Sequence, residues 1–399
     1  MNTHITVIGG GLAGLTAAIA AAETGVPVKL FEAHQTLGGR GRATPPPHVA
    51  HEGAHVFYAD GPHYTWLKKR GFVAGLGWPG PTDAAKVGFR IDGRIRRLPS
   101  VGMLRAQSRK WLQAPVDVDF HTWATERWGE LAATQVANAI SVVTYDADTG
   151  RLSAAFVWDL FQRALGITVP GVRWVRGGWQ QVVDRMIARA DELGVVVETG
   201  ARVDTLPTGG PVIVATELDS ARRLLGDESL RGTGGFAALL DIGVRKDRRD
   251  RFVVFDLDEA GFSECYTAQD DTIAPAGESL FQLQMPVRDG ESRDSAHQRL
   301  ELFADAVLPD WRSRTTFQRT ATAKNRTGAL DLPGTTWRDR PAVDRGDGVY
   351  LAGDMVAAPG MRGEISINSA LAAAASAVTD ARRASGARTA VPDGEASGR

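Results

Sequence analysis

The chain has 399 residues, of which 43% are hydrophobic, and it carries 46 basic and 47 acidic side chains. This length is enough for two cores or for one domain with a large insertion, and the near-zero net charge argues against a nucleic-acid partner. The single cysteine, Cys265, excludes a disulfide framework and a cysteine-rich metal site, and it fits a reducing compartment.

The first predicted elements form a dinucleotide-binding unit. Residues 4–9, HITVIG, are typical of a strand buried on both faces, and Gly9, Gly11 and Gly14 follow in the G-x-G-x-x-G spacing. The first glycine makes a tight turn, the second lets backbone approach the pyrophosphate, and the third allows close helix–strand packing. The helix predicted next places its free N–H groups and positive dipole end at the phosphates.

The second predicted strand, VPVKLF, ends at Glu32, which lies 18 residues after Gly14. An acid at this distance accepts hydrogen bonds from the adenosine ribose hydroxyls. The same acid would repel a ribose 2′-phosphate, which argues against NADP at this site.

Two further segments favour FAD over NAD. Directly after Glu32, the segment LGGRGRA (37–43) presents Arg40 and Arg42, which suit a pyrophosphate, where an NAD-binding unit would continue into its second crossover helix. Near the C-terminus, GVYLAGD predicts a strand that ends at Gly353 and Asp354, and an alanine-rich helix follows from about residue 364. The acid can bind ribityl or ribose hydroxyls, and the helix N-terminus favours the negative charge of a reduced flavin.

The middle of the chain alternates between two kinds of sequence. An amphipathic helix at 179–194 is followed by predicted strands at 195–200, 201–206 and 211–216. Eight of the ten tryptophans lie between Trp66 and Trp179, and we favour core packing over a substrate cage for them. A helix at 152–166 and strands at 251–257 and 279–287 suggest a sheet beneath an apolar, aromatic-walled pocket.

These segments together resemble the flavin amine oxidase and phytoene desaturase superfamily. The matching pieces, found between residues 5 and about 378, are GGGLAGL, Glu32, GGRGRA with EGAHVFYAD, RWVRGGWQQVVDRM, GVVVETGARVDTL, GPVIVATE and GVYLAGD with PGMRGE. The resemblance implies an α/β fold of the glutathione-reductase type, in which a Rossmann-like FAD-binding domain is assembled from discontinuous segments and carries an inserted mixed α+β substrate domain. The expected divisions are 1–75, 177–235 and 340–385 for the FAD-binding domain, 76–176 and 236–335 for the substrate domain, and 386–399 for a disordered tail.

The resemblance also implies which residues contact the cofactor. FAD is expected to be non-covalent, because no cysteine lies near the last helix to form a thioether. Val203 is expected to contact adenine through its backbone, and Glu364 and Ile365 are expected near the flavin ring. Together with these three and the packing glycine Gly14, the implied cofactor-binding residues are Gly9, Gly11, Leu12, Ala13, Glu32, Ala33, Gly39, Arg40, Gly353 and Asp354.

Three residues are candidates for the chemistry. His55 and Tyr58 follow the segment that passes under the flavin ring in the family, where a histidine can tune the flavin or relay a proton. A partly buried structural histidine is the alternative. Lys324 is flanked by small residues on a predicted strand, and family amine oxidases use a lysine to hold a water near the flavin. A surface lysine is the favoured alternative, because the family lysine lies farther upstream.

We assign no specific binding function to two other sequence patterns. His48, His51 and His55 have neither helical nor known metal-ligand spacing, so we predict no metal site. The basic segment 90–112 could lie on a membrane surface, but Pro99 and Gly102 interrupt it, and a solvated face is the favoured interpretation. The chain begins without a secretory signal and contains no uncharged apolar run of ~18 residues, so we expect a cytoplasmic location.

The function predicted from these features is FAD-dependent removal of a hydride from a small apolar or amine-bearing molecule, of the oxidase or desaturase type, with a role expected in secondary metabolism. The residues leave amine oxidation and carbon–carbon desaturation both open. The alternatives are a redox-neutral flavin-dependent isomerase and, less favoured because the glycine motif is intact, a cofactor-free lipid-binding protein of the same fold.

Overall fold

The computed structural model describes residues 4–53, 56–165 and 172–389. In these residues the strands, numbered in chain order, are β1 (Ile5–Ile8), β2 (Val28–Glu32), β3 (Val56–Tyr58), β4 (Leu76–Gly77), β5 (Val87–Ile91), β6 (Arg94–Arg96), β7 (Val172–Val175), β8 (Val196–Thr199), β9 (Val212–Val214), β10 (Phe236–Arg245), β11 (Val253–Asp256), β12 (Phe262–Cys265), β13 (Glu278–Pro286), β14 (Thr315–Lys324) and β15 (Val349–Leu351). The helices are α1 (Leu12–Ala22), α2 (Gly61–Lys69), α3 (Pro81–Ala84), α4 (Val101–Gln107), α5 (Phe120–Trp128), α6 (Glu130–Thr144), α7 (Ala154–Leu165), α8 (Gly178–Glu192), α9 (Leu218–Leu225), α10 (Arg293–Val307), α11 (Trp311–Arg314) and α12 (Gly363–Thr389).

Five parallel strands form the first sheet, in the order β15-β9-β1-β2-β8. The strands come from three separate stretches of the chain, and α1, α8 and α12 contribute to the apolar core beside them. The central strands β1 and β9 have near-continuous apolar sequences, as parallel strands buried on both faces require. The predicted α/β fold class with a discontinuous Rossmann-like sheet is confirmed.

The prediction of a strand at 201–206 is wrong. After β8, the N–H of Ala201 continues the pairing by donating to the carbonyl oxygen of Glu32. Because β2 ends at Glu32, the residues beyond Ala201 have no neighbouring strand with which to form a ladder. Val203 nevertheless lines the cleft beside β2.

Seven strands form the second sheet, in the order β14-β10-β13-β12-β11-β5-β6. All its pairs are antiparallel except that between β5 and β11. One face packs on α10, and Cys265 belongs to that core, whereas Phe262 and Glu264 on alternate positions of β12 face a large cavity. A small antiparallel sheet has the order β3-β7-β4.

Most of the tryptophans belong to cores, as favoured from the sequence. Trp158 on α7 is 4% exposed, and its ring centroid lies 5.2 Å from that of Trp123 and 5.1 Å from that of Trp128. Its indole N–H donates to the Leu112 carbonyl oxygen at 2.7 Å. This cluster joins α5, α7 and the segment before α5 through one buried ring.

We expect Trp158→Ala to lower the free energy of unfolding by about 4 kcal/mol, because it removes a large buried ring and leaves a cavity. Trp158→Phe keeps a ring but loses the hydrogen bond, so its expected cost is smaller, about 1–2 kcal/mol. Urea unfolding followed by circular dichroism measures both. An alanine variant within about 1 kcal/mol of the wild type would contradict the assignment of Trp158 to the core.

Two expectations concern the chain surface and its end. Helix α12 is assigned to Thr389, and residues 390–399 of the tail expected to be disordered lie outside the described residues. The basic segment 90–112 folds as the end of β5, then β6 and α4, and it exposes Leu98, Val101 and Trp111. None of the helices in the described ranges combines the length and the apolar character needed to cross a bilayer.

Candidate functional site

The glycines of the first turn have separate roles. A Cβ on Gly14 would lie 1.8 Å from the carbonyl oxygen of Gly9, so only glycine lets α1 pack on this turn. Gly9 has a φ of +105°, and its Cβ would lie 2.5 Å from the carbonyl oxygen of Ala215. A Cβ on Gly11, by contrast, would find its nearest atom 4.0 Å away, at Gly39. Gly9 and Gly14 therefore serve the fold, whereas Gly11 leaves open space in a cleft.

Glu32 lies at the carboxyl end of β2 and is 8% exposed. Its Oε2 accepts the N–H of Gly10 at 2.6 Å, and its Oε1 accepts the N–H of His34 at 2.8 Å. These two backbone donors hold the carboxylate at the cleft, where Ala33 and Val203 also lie. A carboxylate oxygen accepts more than one hydrogen bond, so Glu32 can bind ribose hydroxyls as well.

Two residues that the sequence places 314 positions apart meet in the structure. Arg40 donates from Nη1 to Oδ2 of Asp354 at 2.6 Å, and the same nitrogen donates to the carbonyl oxygen of Arg326 at 2.9 Å. Both side chains line the cleft, as do Gly39 and Gly353. The pair sets a guanidinium and a carboxylate side by side, which suits a ligand that carries both phosphate and hydroxyl groups.

The start of α12 lies against a network of charged groups. Glu364 accepts hydrogen bonds from Arg163 at 3.0 and 3.1 Å, and Arg163 also donates to Asp60 at 2.8 Å. Although burial acts to lower it, these two carboxylates raise the pKa of Arg163. Asp60, His63 and Glu364 each have a potential metal-ligand atom within 4.8 Å of those of the other two. However, Arg163 already pairs with both carboxylates and supplies the positive charge there.

Not all the implied cofactor residues reach the same cleft. Gly14 and Ile365 do not line it, because Gly14 packs under the turn and Ile365 is buried in the core beside α12. The residues that do line it are Gly9, Gly11, Leu12, Ala13, Glu32, Ala33, Gly39, Arg40, Val203, Gly353, Asp354 and Glu364.

The three catalytic candidates have different positions. Tyr58 lines the cavity with Arg163 4.7 Å above its ring, and burial raises the pKa of Tyr58 to about 12, so its hydroxyl stays protonated. His55 lies outside the described residues. Lys324 ends β14 with an exposed side chain, and its ammonium lies 5.8 Å from the centre of the Phe236 ring. It does not line the cavity, so its proposed part in the chemistry is not supported.

One continuous cavity of about 1420 Å³ connects the cleft at the glycine turn to the inner face of the seven-stranded sheet. Aromatic rings form much of its wall on the sheet side, namely Phe89, Trp174, Phe252, Phe255 and Phe262. Tyr58, Gly363 and Glu364 also line it. A cavity of this kind can hold an extended ligand together with a second, smaller molecule.

A row of polar side chains crosses four strands on this otherwise apolar face. Glu264 on β12 lies opposite Gln282 on β13, Gln282 lies opposite Asp241 on β10, and Asp241 lies opposite Arg319 on β14. Gln282 donates to Asp241 at 2.9 Å, and Arg319 donates to Asp241 at 2.7 Å. The two ends of the row, Glu264 and Arg319, line the cavity.

Burial changes the ionisation of the two acids in this row. It raises the pKa of Asp241 to about 6, although Arg319 acts in the opposite direction. Burial also raises the pKa of Glu264 to about 8, against hydrogen bonds from Trp174 and Tyr266 that act to lower it. At neutral pH, Asp241 is therefore an ion paired with Arg319, and Glu264 is a neutral acid.

Sequence reasoning missed this row. The available signal was the presence of Glu264, Gln282 and Asp241 inside strands that are otherwise strongly apolar. Polar residues in such strands are expected to be hydrogen-bonded when buried. Their partners depend on the register between strands that are distant in sequence.

Comparisons with known proteins address the fold. Residues 7–69 match the family of NAD(P)-binding Rossmann-like domains, and no curated protein sequence matches the chain. An oxidoreductase from Methanosarcina mazei has a TM-score of 0.72 and 14% identity, with 92% of this chain and 99% of that one covered. Cyclohexylamine oxidase from Brevibacterium oxydans IH-35A has a TM-score of 0.69 and 15% identity, with coverages of 96% and 100%.

A third solved structure, reduced UDP-galactopyranose mutase, has a TM-score of 0.68 and 14% identity, with 97% of this chain and 96% of that one covered. The chain shares the fold of these three structures, an oxidoreductase, an amine oxidase and a mutase. The resemblance seen in the motifs is therefore confirmed at the level of the fold, over nearly the whole described chain. Identities this low carry no information about the substrate.

Proposed function

We propose that the protein binds FAD non-covalently and is an oxidoreductase that removes a hydride from a small apolar or amine-bearing molecule. The observation that carries the proposal is the continuity of one cavity, which runs from the glycine turn and Glu32 to the aromatic wall of the second sheet. The open space at Gly11 and the held carboxylate of Glu32 fit the ADP half of the cofactor.

When it is bound, the flavin accepts the hydride, so the protein need only hold the substrate, exclude water and stabilise charge. The aromatic wall excludes water from the sheet side of the cavity. The N-terminus of α12 lines the cavity at Gly363 and Glu364, and its dipole favours negative charge on a reduced ring. Cys265 faces the core on the other side of β12, consistent with a non-covalent cofactor.

The direct test is to purify the full chain and measure its flavin content and absorbance. We expect a yellow protein that releases FAD on denaturation and whose absorbance bleaches under anaerobic conditions with a substrate from a panel of small amines and apolar alicyclic compounds. A folded protein that remains colourless after incubation with FAD would overturn the proposal and would revive the cofactor-free lipid-binding alternative.

We expect Glu32→Gln to weaken FAD binding about 10- to 100-fold, because the amide loses the charge that strengthens hydrogen bonds to the ribose hydroxyls. Glu198→Gln is the matched control, since Glu198 lies on the neighbouring strand β8 and pairs with Lys29 at the surface. Fluorescence titration of flavin-free protein measures both affinities. Equal affinities in the two variants would show that Glu32 does not bind the cofactor.

Redox-neutral isomerisation is the second candidate, because UDP-galactopyranose mutase shares the fold. The two candidates differ in their electron balance. An isomerase would need a reductant to become active but would consume no acceptor during turnover, whereas an oxidoreductase consumes one acceptor for each product. Counting acceptor and product in the same reaction separates them.

A further inference from the structure

Glu264 differs from the other partly or fully buried acids around the cavity because, within the described part of the chain, it has neither an ionic partner nor the pair of backbone N–H donors that holds Glu32. Glu52, Asp354 and Glu364 each pair with an arginine, which is Arg326, Arg40 and Arg163 respectively. Glu264 is 3% exposed, and its Oε1 accepts the indole N–H of Trp174 at 2.6 Å. This carboxyl group therefore lies in the cavity wall with a hydrogen-bond donor beside it. Within the described residues, no positive side chain pairs with it to balance the negative charge that it would carry when ionised.

The groups that face Glu264 from the neighbouring elements are neutral. Trp174 lies on β7, Val253 lies opposite on β11, Gln282 lies opposite on β13, and Tyr266 follows β12. The nearest charges along the row are those of Asp241 and Arg319, which balance each other. No positive group of the described chain is thus available to stabilise an ionised Glu264.

A buried carboxyl group in this situation either keeps its proton or takes its counter-ion from a ligand. The aromatic rings of the wall add a second preference, because their faces attract cations. Phe252 and Phe262 line the cavity; the Phe252 ring lies 5.6 Å from that of Trp174, and Phe262 lies two residues before Glu264 on β12. A carboxyl group and aromatic rings together favour a compact cation with an apolar body.

We propose that Glu264 is the specificity-determining residue of this cavity and that it recognises a positively charged ammonium group on the ligand. The proposal rests on the proposed function in that it takes the cavity as the substrate site. It narrows the apolar or amine-bearing substrate class to molecules that carry a protonated amine beside an apolar or aromatic body.

Such recognition has a defined proton balance. In the free protein at neutral pH, Glu264 holds its proton, because burial raises its pKa to about 8. When an ammonium ion binds, the O–H bond of Glu264 breaks, the proton passes to solvent, and a carboxylate–ammonium pair forms. The net charge of the site stays the same, and about one proton is released for each ammonium bound near pH 7. A neutral ligand of the same shape releases none.

Isothermal titration calorimetry of the purified full chain in two buffers with different ionisation enthalpies measures this release. The probes are benzylamine with benzyl alcohol, and cyclohexylamine with cyclohexanol, each pair being of nearly equal size. We expect both amines to bind more tightly than their alcohols at pH 7, with about one proton released per amine and none per alcohol. This measurement uses the wild-type protein and so does not depend on any variant folding.

Glu264→Gln removes the ionisable group and keeps its shape. We expect it to abolish proton release and to weaken amine binding about tenfold or more, while alcohol binding changes about twofold at most. Glu259→Gln is the control, because Glu259 lies five residues earlier in the turn before β12 and pairs with arginines at the surface. It should leave proton release unchanged.

Three results would overturn the inference: failure of both amines to bind, binding of the alcohols at least as tightly as the amines, or amine binding without proton release. The flavin content of the same preparation is measured separately. A protein that binds amines with proton release but holds no FAD would overturn the proposed function and leave the role of Glu264 standing.

Discussion

Gly11→Val will give a folded protein that no longer retains FAD. The nearest atom to a Cβ at Gly11 is 4.0 Å away, and the backbone there is extended, with φ −77° and ψ −169°, so the fold accepts a side chain. The branched side chain would instead fill the space where the pyrophosphate approaches the backbone. We expect FAD affinity to fall by about three orders of magnitude, with a free energy of unfolding of the flavin-free protein within about 1 kcal/mol of the wild type.

Gly14→Ala is the informative control, because its Cβ would lie 1.8 Å from the carbonyl oxygen of Gly9. We expect that variant to be unstable or insoluble, since α1 must move away from the turn to relieve the overlap. Flavin content and chemical unfolding of the two variants, measured side by side, separate a cofactor role from a structural one. If Gly11→Val kept its flavin, the cofactor could not bind at this turn.

The stability of the protein will depend on pH through Glu264. Its pKa is raised from 4.5 to about 8 in the folded protein, so the native state binds more protons than the unfolded chain between these values. The wild-type free energy of unfolding therefore falls as the pH rises through this window, by ~5 kcal/mol from this group alone. Glu264→Gln does not titrate and lacks this loss.

We therefore expect Glu264→Gln to gain stability relative to the wild type as the pH rises from 5 to 9, with most of the change between about pH 5 and 8. Urea unfolding at several pH values measures the difference. Glu259→Gln, whose side chain is partly exposed, should differ from the wild type by a small amount that does not grow with pH. A Glu264→Gln difference that stays constant over this range would mean that the carboxyl is ionised in the folded protein.

Three of the predicted positions depend on local sequence alone. Gly9, Gly14 and Glu32 belong to one strand–helix–strand unit, in which each residue's role depends on neighbours within about thirty positions along the chain. Asp354 was predicted from its own strand end and Arg40 from its glycine-rich segment. Their contact at 2.6 Å follows from a sheet in which β15, β9, β1 and β2 lie side by side.

The position of Lys324, which agrees with the favoured surface alternative, shows what local sequence leaves out. Lys324 and Arg319 lie five positions apart on β14, and because side chains alternate along a strand they face opposite sides of the sheet. Arg319 lies opposite Asp241 and lines the cavity, whereas Lys324 lies opposite Phe236 and is exposed. The small residues that flank Lys324 do not indicate whether its side chain faces the cavity or the solvent.

From the amino acids alone, the Rossmann-like unit at the start of the chain could be derived, because its turn, its helix start and the acid Glu32 are all set by short-range geometry. The tertiary structure decided that Glu264, Gln282, Asp241 and Arg319 form one row and that only the last two balance each other's charge. Strand register over long separations creates that row. Burial, which no single segment can impose, then keeps the proton on Glu264.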